Sequence, residues 1–274
     1  MTLRSLEIFV KVAEFKSMRA AAEELFISQP SVSGAISDLE KEFNLLLFER
    51  LNKRIYITEA GERLFVYAKR MLSIKGEIER SMRDMDEITP IRVGATVTIG
   101  TCILPEIIKS IKNVDIHVII NDTPTFEQGI LENSIDIGLV EGRIINSDIQ
   151  VTSFMRDELM CICRDTGEFK DKDSITLEEL LKYPLLFREK NSGTRLVIDE
   201  VIGPLIKKMD KKANIIWDSN NTQAIINGVK NGLGISILSP KIVEDTVGIK
   251  AIRISDADIS RNFSMLIHKD KVIN

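Results

Sequence analysis

Apolar residues recur at helical spacing through the first third of the chain and fall into short alternating runs after it. Leu3, Leu6, Phe9, Val10 and Ala13 share one face of a helix predicted over residues 3–15. Met18, Ala21, Ala22 and Leu25 predict a short second helix. Val32, Ile36, Leu39 and Phe43, at i, i+4, i+7 and i+11, predict a third beginning at Ser28. Ser28 suits an N-cap, and Pro30 sits early enough in the helix that its missing N–H costs little. The stretch 48–58, FERLNKRIYIT, reads as a hairpin, with Arg50, Asn52, Lys53 and Arg54 at the turn and Ile55, Tyr56 and Ile57 in an alternating strand. Thr58 can cap a long helix to about residue 87, whose apolar positions Leu64, Met71, Ile78 and Met85 are seven apart, with Tyr67 and Ile74 three after the first two. This is a heptad seam, which more often finds its mate in a second copy of the chain than in its own domain. Thr89 and Pro90 end the helix and mark a boundary.

From residue 91 strands and helices alternate. Strands are expected at 91–95, 114–120, 135–140, 159–163, 185–188, 213–217, 234–238, 249–254 and 262–267. Helices are expected at 101–112, 124–132, 176–182, 195–208, 222–230 and 239–244. The rhythm predicts parallel sheets covered by helices on both faces, in two α/β lobes. The chain should cross to the second lobe near 157–163 and return near 254–267.

Polar positions add chemistry to this outline. The outward face near the start of the third helix is Gln29, Ser31, Ser33, Gly34 and Ser37, small and mostly uncharged, whereas Glu23, Glu24, Glu40, Lys41 and Glu42 nearby make a solvated surface. A face of hydrogen-bonding groups can be pressed into a DNA major groove without burying unpaired charge. The positive hairpin beside it suits phosphate contact. Composition narrows the possibilities without selecting one. A net charge of −4 argues against coating nucleic acid along the whole chain, and residues 1–58 balance acids and bases. Three cysteines are too few and too odd for a disulfide framework and suit a reducing cytoplasm. No run is long enough to span a bilayer, and the charged N-terminal segment does not resemble a signal peptide, so a cytoplasmic protein without membrane contact is expected. Only two histidines occur, His117 and His268, with no Cys/His metal spacing, no nucleophile elbow and no phosphate-cradling glycine motif. An enzyme therefore has no visible catalytic set, and a pure solute-binding module would leave residues 1–88 unexplained.

Ala21, Ala22, Leu25, then Ser28, Gln29, Pro30, Ser31, Val32, Ser33, then Leu39, Glu40, then Leu47, Phe48, Glu49, Arg50, and finally Thr58, Glu59, Ala60, Gly61, Glu62 form a long composite that resembles the LysR-type transcriptional regulators. The resemblance covers essentially the whole chain. It implies a winged helix-turn-helix over residues 1–58, a linker and dimerisation helix over 59–88, and a two-lobed effector domain like a type 2 periplasmic binding protein over 89–274. Lobe I would take about 91–160 and 255–274, and lobe II about 161–254. It implies binding to double-stranded promoter DNA as a homodimer or dimer of dimers, control by a small, anionic metabolite, contact with RNA polymerase, and no other cofactor. By similarity Gln29, Ser33, Gly34 and Ser37 face base edges, and Ser28, Ser31, Arg50, Asn52, Lys53 and Arg54 lie nearer the backbone. Asn44 replaces a usual glycine after the recognition helix and can adopt the same left-handed cap. Gly34 replaces a larger residue. The chain stops at HKDKVIN, where relatives usually continue into a helix packed on the first lobe, so either the sequence is truncated or that lobe is finished differently.

The effector is expected between the lobes, at strand C-termini and helix N-termini. Thr96, Thr98 and Thr101 follow the first strand in a turn whose free N–H groups suit an oxyanion. Asn191, Ser192, Gly193 and Thr194 precede a second-lobe helix. Thr123, Glu141 and Asn221 stand at further strand or helix ends. Cys161 and Cys163, two apart on a strand, read as core, and Cys102 has no evident resolving partner.

Overall fold

The computed structural model describes residues 1–51, 54–83, 90–142, 144, 146–210 and 212–271; the side chains of residues 50, 51, 77, 80, 81 and 83 are outside that description. Asn52, Lys53, Met85 and the Arg50 side chain, all singled out from the sequence, therefore lie outside the described residues. The chain divides into two compact units, Met1–Thr89 with Gln128–Ile135, and Pro90–Glu127 with Asp136–Asn274.

The first unit begins with α1 (Leu3–Phe15), α2 (Met18–Glu24) and α3 (Gln29–Phe43). Leu6, Phe9, Val12, Ala21, Val32, Ile36 and Leu39 are buried together, with Leu47 and Ala68 from later elements. Leu3 and Phe43, expected in this core, are each 40% exposed; both stand at helix ends. The hairpin pairs β1 (Phe48–Leu51) antiparallel with β2 (Arg54–Ile57) and anchors through Phe48, whose ring lies 5.3 Å from that of Phe9. Asn44 closes α3 at φ 53°, the left-handed cap expected of it.

Two polar side chains and one glycine fix the frame. Glu40 does not join the solvated face: its Oε1 accepts the backbone N–H groups of Leu47 (2.9 Å) and Phe48 (3.3 Å), tying α3 to the wing. Thr58 Oγ1 donates to Leu46 O at 2.7 Å and accepts from Gly61 N at 3.0 Å, capping α4 (Glu59–Arg83). Gly61 lets that helix approach so closely that an added Cβ would stand 2.3 Å from Leu47 O.

The second unit contains two sheet systems. Its elements run β3 (Ile91–Ala95), α5 (Val97–Cys102), α6 (Leu104–Ser110), β4 (Ile116–Ile120), α7 (Thr123–Leu131), β5 (Ile137–Glu141) and β6 (Ile149–Glu158). Then come β7 (Met160–Arg164), β8 (Ser174–Ile175), α8 (Leu177–Leu180), β9 (Leu185–Arg188), α9 (Gly193–Lys208), β10 (Ile215–Ser219), α10 (Thr222–Lys230), β11 (Ser236–Leu238), β12 (Ile249–Ile254) and β13 (Ser260–His268). The first sheet is ordered β4-β3-β5-β13-β6; the second system is β11-β7-β12-β8 beside the pair β10-β9. The crossing falls between β6 and β7, and the return between β12 and β13.

The sheets are mixed, which corrects the all-parallel expectation. β3 pairs parallel with β4 and β5, but β13 runs antiparallel to β5 and β6, and β7 antiparallel to β11 and β12. At each crossing only the entering strand, β7 or β13, runs against the βα direction. The helix expected over 101–112 is two helices, because Pro105 in the first turn of α6 cannot continue α5. The expected helix at 239–244 is only a 3-10 turn, Pro240–Ile242. Asp136, just before β5, accepts the Arg92 backbone N–H (2.7 Å) and two guanidinium bonds (2.7 and 3.0 Å), and also contacts Lys271. Burial raises this carboxyl, and the Arg92 and Lys271 bonds outweigh it and hold it at about 2. Among the described residues no helix is long and apolar enough to cross a membrane.

Gly61→Ala separates propensity from packing. Inside an exposed helix the change would stabilise by about 1 kcal/mol. Against Leu47 O it should instead destabilise the first unit, by about 1–3 kcal/mol. A thermal melt of the variant checks the sign; an unchanged or raised melting temperature would mean that the close approach does not require glycine.

Candidate nucleic-acid interface and effector cavity

The N-terminus of α3 is shaped by its own cap. Ser31 N donates to Ser28 Oγ (3.3 Å), and the two hydroxyls lie 2.8 Å apart, so Ser28 and Ser31 partly satisfy each other. Gln29, Pro30 and Gly34 are exposed, and Ser33 and Ser37 half-buried. A Cβ on Gly34 would meet nothing within 4 Å, so packing does not demand glycine there; the glycine leaves the surface open. Arg54 is exposed on β2. Phe26, not foreseen from the sequence, stands 95% exposed between α2 and α3 at φ 54°.

The seam on α4 starts inside its own unit and emerges from it. Leu64 packs on the first unit's core, whereas Tyr67 (60%), Met71 (41%), Ile74 (42%) and Ile78 (57%) are exposed. Met82, 72% exposed, extends the line.

In the second unit a cavity of about 630 Å³ opens where strand ends and helix starts converge. Thr96, at the end of β3, is the N-cap of α5, yet its side chain makes no capping bond. It is 3% exposed and its Oγ1 has no hydrogen-bond partner. Thr123, Glu141, Asn191, Ser192 and Gly193 also line the cavity. Thr123 Oγ1 donates to Glu141 O at 2.9 Å, and Ser192 Oγ caps α9 by accepting from Arg195 N at 3.1 Å.

Four expected residues do not line it. Thr98 and Thr194, each in the first turn of its helix, turn inward and accept from Arg261 Nη2 (3.2 Å) and Nη1 (2.9 Å) respectively. Thr101 is exposed and donates to Val97 O (2.7 Å), one turn back along its own helix. Asn221 spends its Oδ1 capping α10 through Ala224 N (3.0 Å), and Asn220 lines the cavity instead. Conversely, Asn121 and Asp122 at the end of β4, Glu127, Arg188, Glu189 and Glu200 line the cavity and were not foreseen as site residues. The strand-end rule could have found Asn121 and Asp122; nothing in the local pattern marks Glu127 or Glu200.

Behind the cavity wall lies a buried charge cluster. Arg261 on β13 donates from Nε to Asp157 Oδ2 (2.9 Å), and Ser239 Oγ donates to Asp157 Oδ1 (2.7 Å). Glu141 Oε2 lies 2.5 Å from Arg261 Nη1 but without an aligned hydrogen bond. Burial pushes the Glu141 carboxyl up and Asp157 adds to this, while Arg261 and Arg188 oppose it. On the lining, Arg188 forms a bidentate pair with Glu189 (2.9 and 3.0 Å) and donates to Thr222 Oγ1 (2.8 Å). Cys161 and Cys163 are core residues of β7, and burial pushes the half-buried Cys102 thiol up. Among the described residues no cluster of His, Cys, Asp and Glu is arranged to hold a metal ion.

A winged helix-turn-helix joined in one chain to a two-sheet module with an internal cavity defines a DNA-binding regulator with an effector domain. Residues 3–62 match the bacterial regulatory helix-turn-helix protein model of the lysR family, and residues 87–274 match the LysR substrate binding domain. The chain belongs to the LysR family of transcriptional regulators, a family of regulators and not of enzymes. It is 33% identical over 248 residues to the uncharacterized HTH-type transcriptional regulator YeiE of Escherichia coli K12, covering 89% of this chain and 82% of that protein. It is 31% identical over 282 residues to a probable RuBisCO transcriptional regulator of Phaeodactylum tricornutum, covering 98% and 91%. In fold it is similar to full-length OxyR C199D from Pseudomonas aeruginosa (TM-score 0.68, 22% identity, 98% and 89% covered). It is also similar to full-length CbnR complexed with its target DNA (TM-score 0.66, 21% identity, 99% and 94% covered).

The raised Glu141 carboxyl carries a signed expectation. Its ionised form costs stability above its folded pKa, and the cost is relieved as pH falls through that value toward the ordinary carboxylate range. Glu141→Gln should therefore melt higher than the parent at pH 8. The advantage should shrink as pH falls toward 4.5, the ordinary glutamate value. Paired melts across that range measure it; a Gln variant less stable at every pH would mean that attraction to Arg261 outweighs the cost of burying the carboxylate.

Proposed function

We propose that the chain reads promoter DNA as a homodimer or dimer of dimers, and that a small polar molecule held in the cavity of the second unit sets how well it does so. The observation that carries effector control is Thr96 Oγ1, a hydroxyl buried on the cavity wall with no protein partner. A buried hydroxyl without a partner is costly, and a ligand group would satisfy it.

On the DNA side, Gln29, Ser33, Gly34 and Ser37 would meet base edges, and Ser28, Pro30, Ser31 and Arg54 would lie along the backbone, with Arg50, Asn52 and Lys53 completing the wing. The exposed line Tyr67, Met71, Ile74 and Ile78 supports pairing through α4 with a second copy. Such a regulator works in the cytoplasm beside its DNA and would meet RNA polymerase there. Coupling is reciprocal: DNA must change effector affinity by the factor by which effector changes DNA affinity.

Gln29→Ala should relax sequence preference, with about 1–3 kcal/mol lost on cognate DNA only. Arg54→Ala should weaken all sequences alike and flatten the salt dependence. Mobility-shift titrations on DNA from the protein's own upstream region and on a scrambled duplex separate the two. Equal losses on both duplexes for Gln29→Ala would remove base reading from that side chain.

Ile74→Glu with Ile78→Glu should shift the protein toward monomer in sedimentation while circular dichroism still shows it folded, since both side chains are exposed in the single chain. An unchanged oligomer would exclude this face as the contact.

A further inference from the structure

We infer that the effector is a small zwitterion: an ammonium group faces the carboxylates of Glu127 and Glu200, and an acidic end meets Thr96 and the N-terminus of α9. This rests on the cavity being the effector site, and it revises the expectation of a simply anionic metabolite.

The charge on the lining carries the first half. Asp122, Glu127, Glu141, Glu189 and Glu200 line the cavity, against a single cation among the described lining residues, Arg188. Arg188 is already committed, bidentate to Glu189 and bonded to Thr222. Arg261, behind the wall, is likewise occupied by Asp157, Thr194 and Thr98. Asp122 caps α7 through Thr125 N (3.0 Å), but Glu127 and Glu200 make no hydrogen bond or ion pair among the described residues. A dicarboxylate or phosphate would enter against this field with no uncommitted cation among the described lining residues to receive it, whereas an ammonium group would find two carboxylates without partners.

The second half stands on different atoms. Thr96 Oγ1 is buried and unpartnered on the wall. Helix α9 is 16 residues long, and its start at Ser192 and Gly193 opens on the cavity. Ser192 Oγ is taken by Arg195 N, while the N–H groups of Gly193 and Thr194, in the first turn, have no intrahelical acceptor. A hydroxyl and helix-end N–H groups receive a carboxylate. Gly193 keeps that approach tight, since an added Cβ would stand 3.1 Å from Glu141 Cγ. Acidic groups on one set of elements and donors on another describe a ligand with opposite charges at its two ends. The cavity volume, about 630 Å³, suits a molecule of amino-acid to dipeptide size.

The test uses the full chain in calorimetry with two probe sets, the protein amino acids with putrescine on one side and succinate, 2-oxoglutarate and inorganic phosphate on the other. At least one amino acid should bind with Kd below about 1 mM. Its N-acetyl derivative should bind at least about tenfold more weakly, as should the parent amino acid to Glu127→Gln with Glu200→Gln, or to Thr96→Val. Far-ultraviolet circular dichroism checks that each variant is folded. Putrescine alone should bind weakly and lose affinity only in the Gln variant. Binding by the anion set, tightened in the Gln variant, overturns the zwitterion, and so does silence across every amine-bearing probe. Mobility shifts on upstream DNA with each probe that binds keep the two readings apart. An anion that binds and alters DNA affinity sinks the zwitterion and leaves effector control standing; a bound amino acid without effect on DNA sinks effector control.

Discussion

The effector module is organised around one guanidinium. Arg261 has a side chain only 1% exposed and reaches four groups from separate parts of the chain: Asp157 at the end of β6, Thr194 on α9, Thr98 on α5 and Glu141 at the end of β5. Burying a cation this deeply is costly unless its hydrogens are taken up, and losing Asp157, which accepts from Nε, would leave that donor without its acceptor. Asp157 is in turn held by Ser239. The relative placement of α5 and α9, whose starts bring Thr96 and Ser192 to the cavity, therefore depends on a side chain that does not itself line it. The cluster also holds two carboxylates for one guanidinium, which is why burial prevails at Glu141 and raises its carboxyl.

The first unit solves its positioning problem with backbone groups. Glu40 holds the N–H groups of residues 47 and 48, Thr58 holds the carbonyl of residue 46 and the N–H of residue 61, and Gly61 seats α4 against residue 47. The frame is thus fixed at the C-terminal side of α3. Its N-terminal face, Gln29 to Ser37, needs no charges to hold it and remains open and mostly uncharged. The two units use polar contacts to opposite ends: one keeps a surface bare for contact, the other surrounds a cavity.

The elements of the first unit were legible in the sequence because amphipathic spacing and caps are local: Ser28 caps α3, Asn44 ends it and Thr58 starts α4, each within four residues of its partner atoms or conformation. Long-range polar partners were not legible. A hydroxyl beside a helix start can cap, face a ligand or accept from a distant arginine, and the local sequence is the same in each case. Thr96, Thr98 and Thr194 differ only in whether Arg261, 163 residues from Thr98 and 67 from Thr194, stands opposite. Strand direction escaped for the same reason. β6 escaped because Ile149–Glu158 is an edge strand, largely exposed and polar, without the apolar run that marks a buried one.

Arg261 also determines how a ligand could be felt. Its bonds already join α5 to α9 through Thr98 and Thr194, and a molecule spanning Thr96 and the start of α9 would act on the same two helices. Such a ligand adds to a bridge that exists without it. Its effect on the module is then set by the difference between two bridged arrangements, not by the full strength of its own contacts. Glu141 enters that difference directly, because it borders both the cavity and the guanidinium. An ammonium group brought near it favours the ionised carboxyl, which draws Arg261 more strongly; a carboxylate brought near it favours the protonated form, which loosens that hold. Ligand charge and the tightness of the central bridge are therefore linked through one proton on Glu141, and the sign of the linkage follows from the end of the ligand that lies nearest.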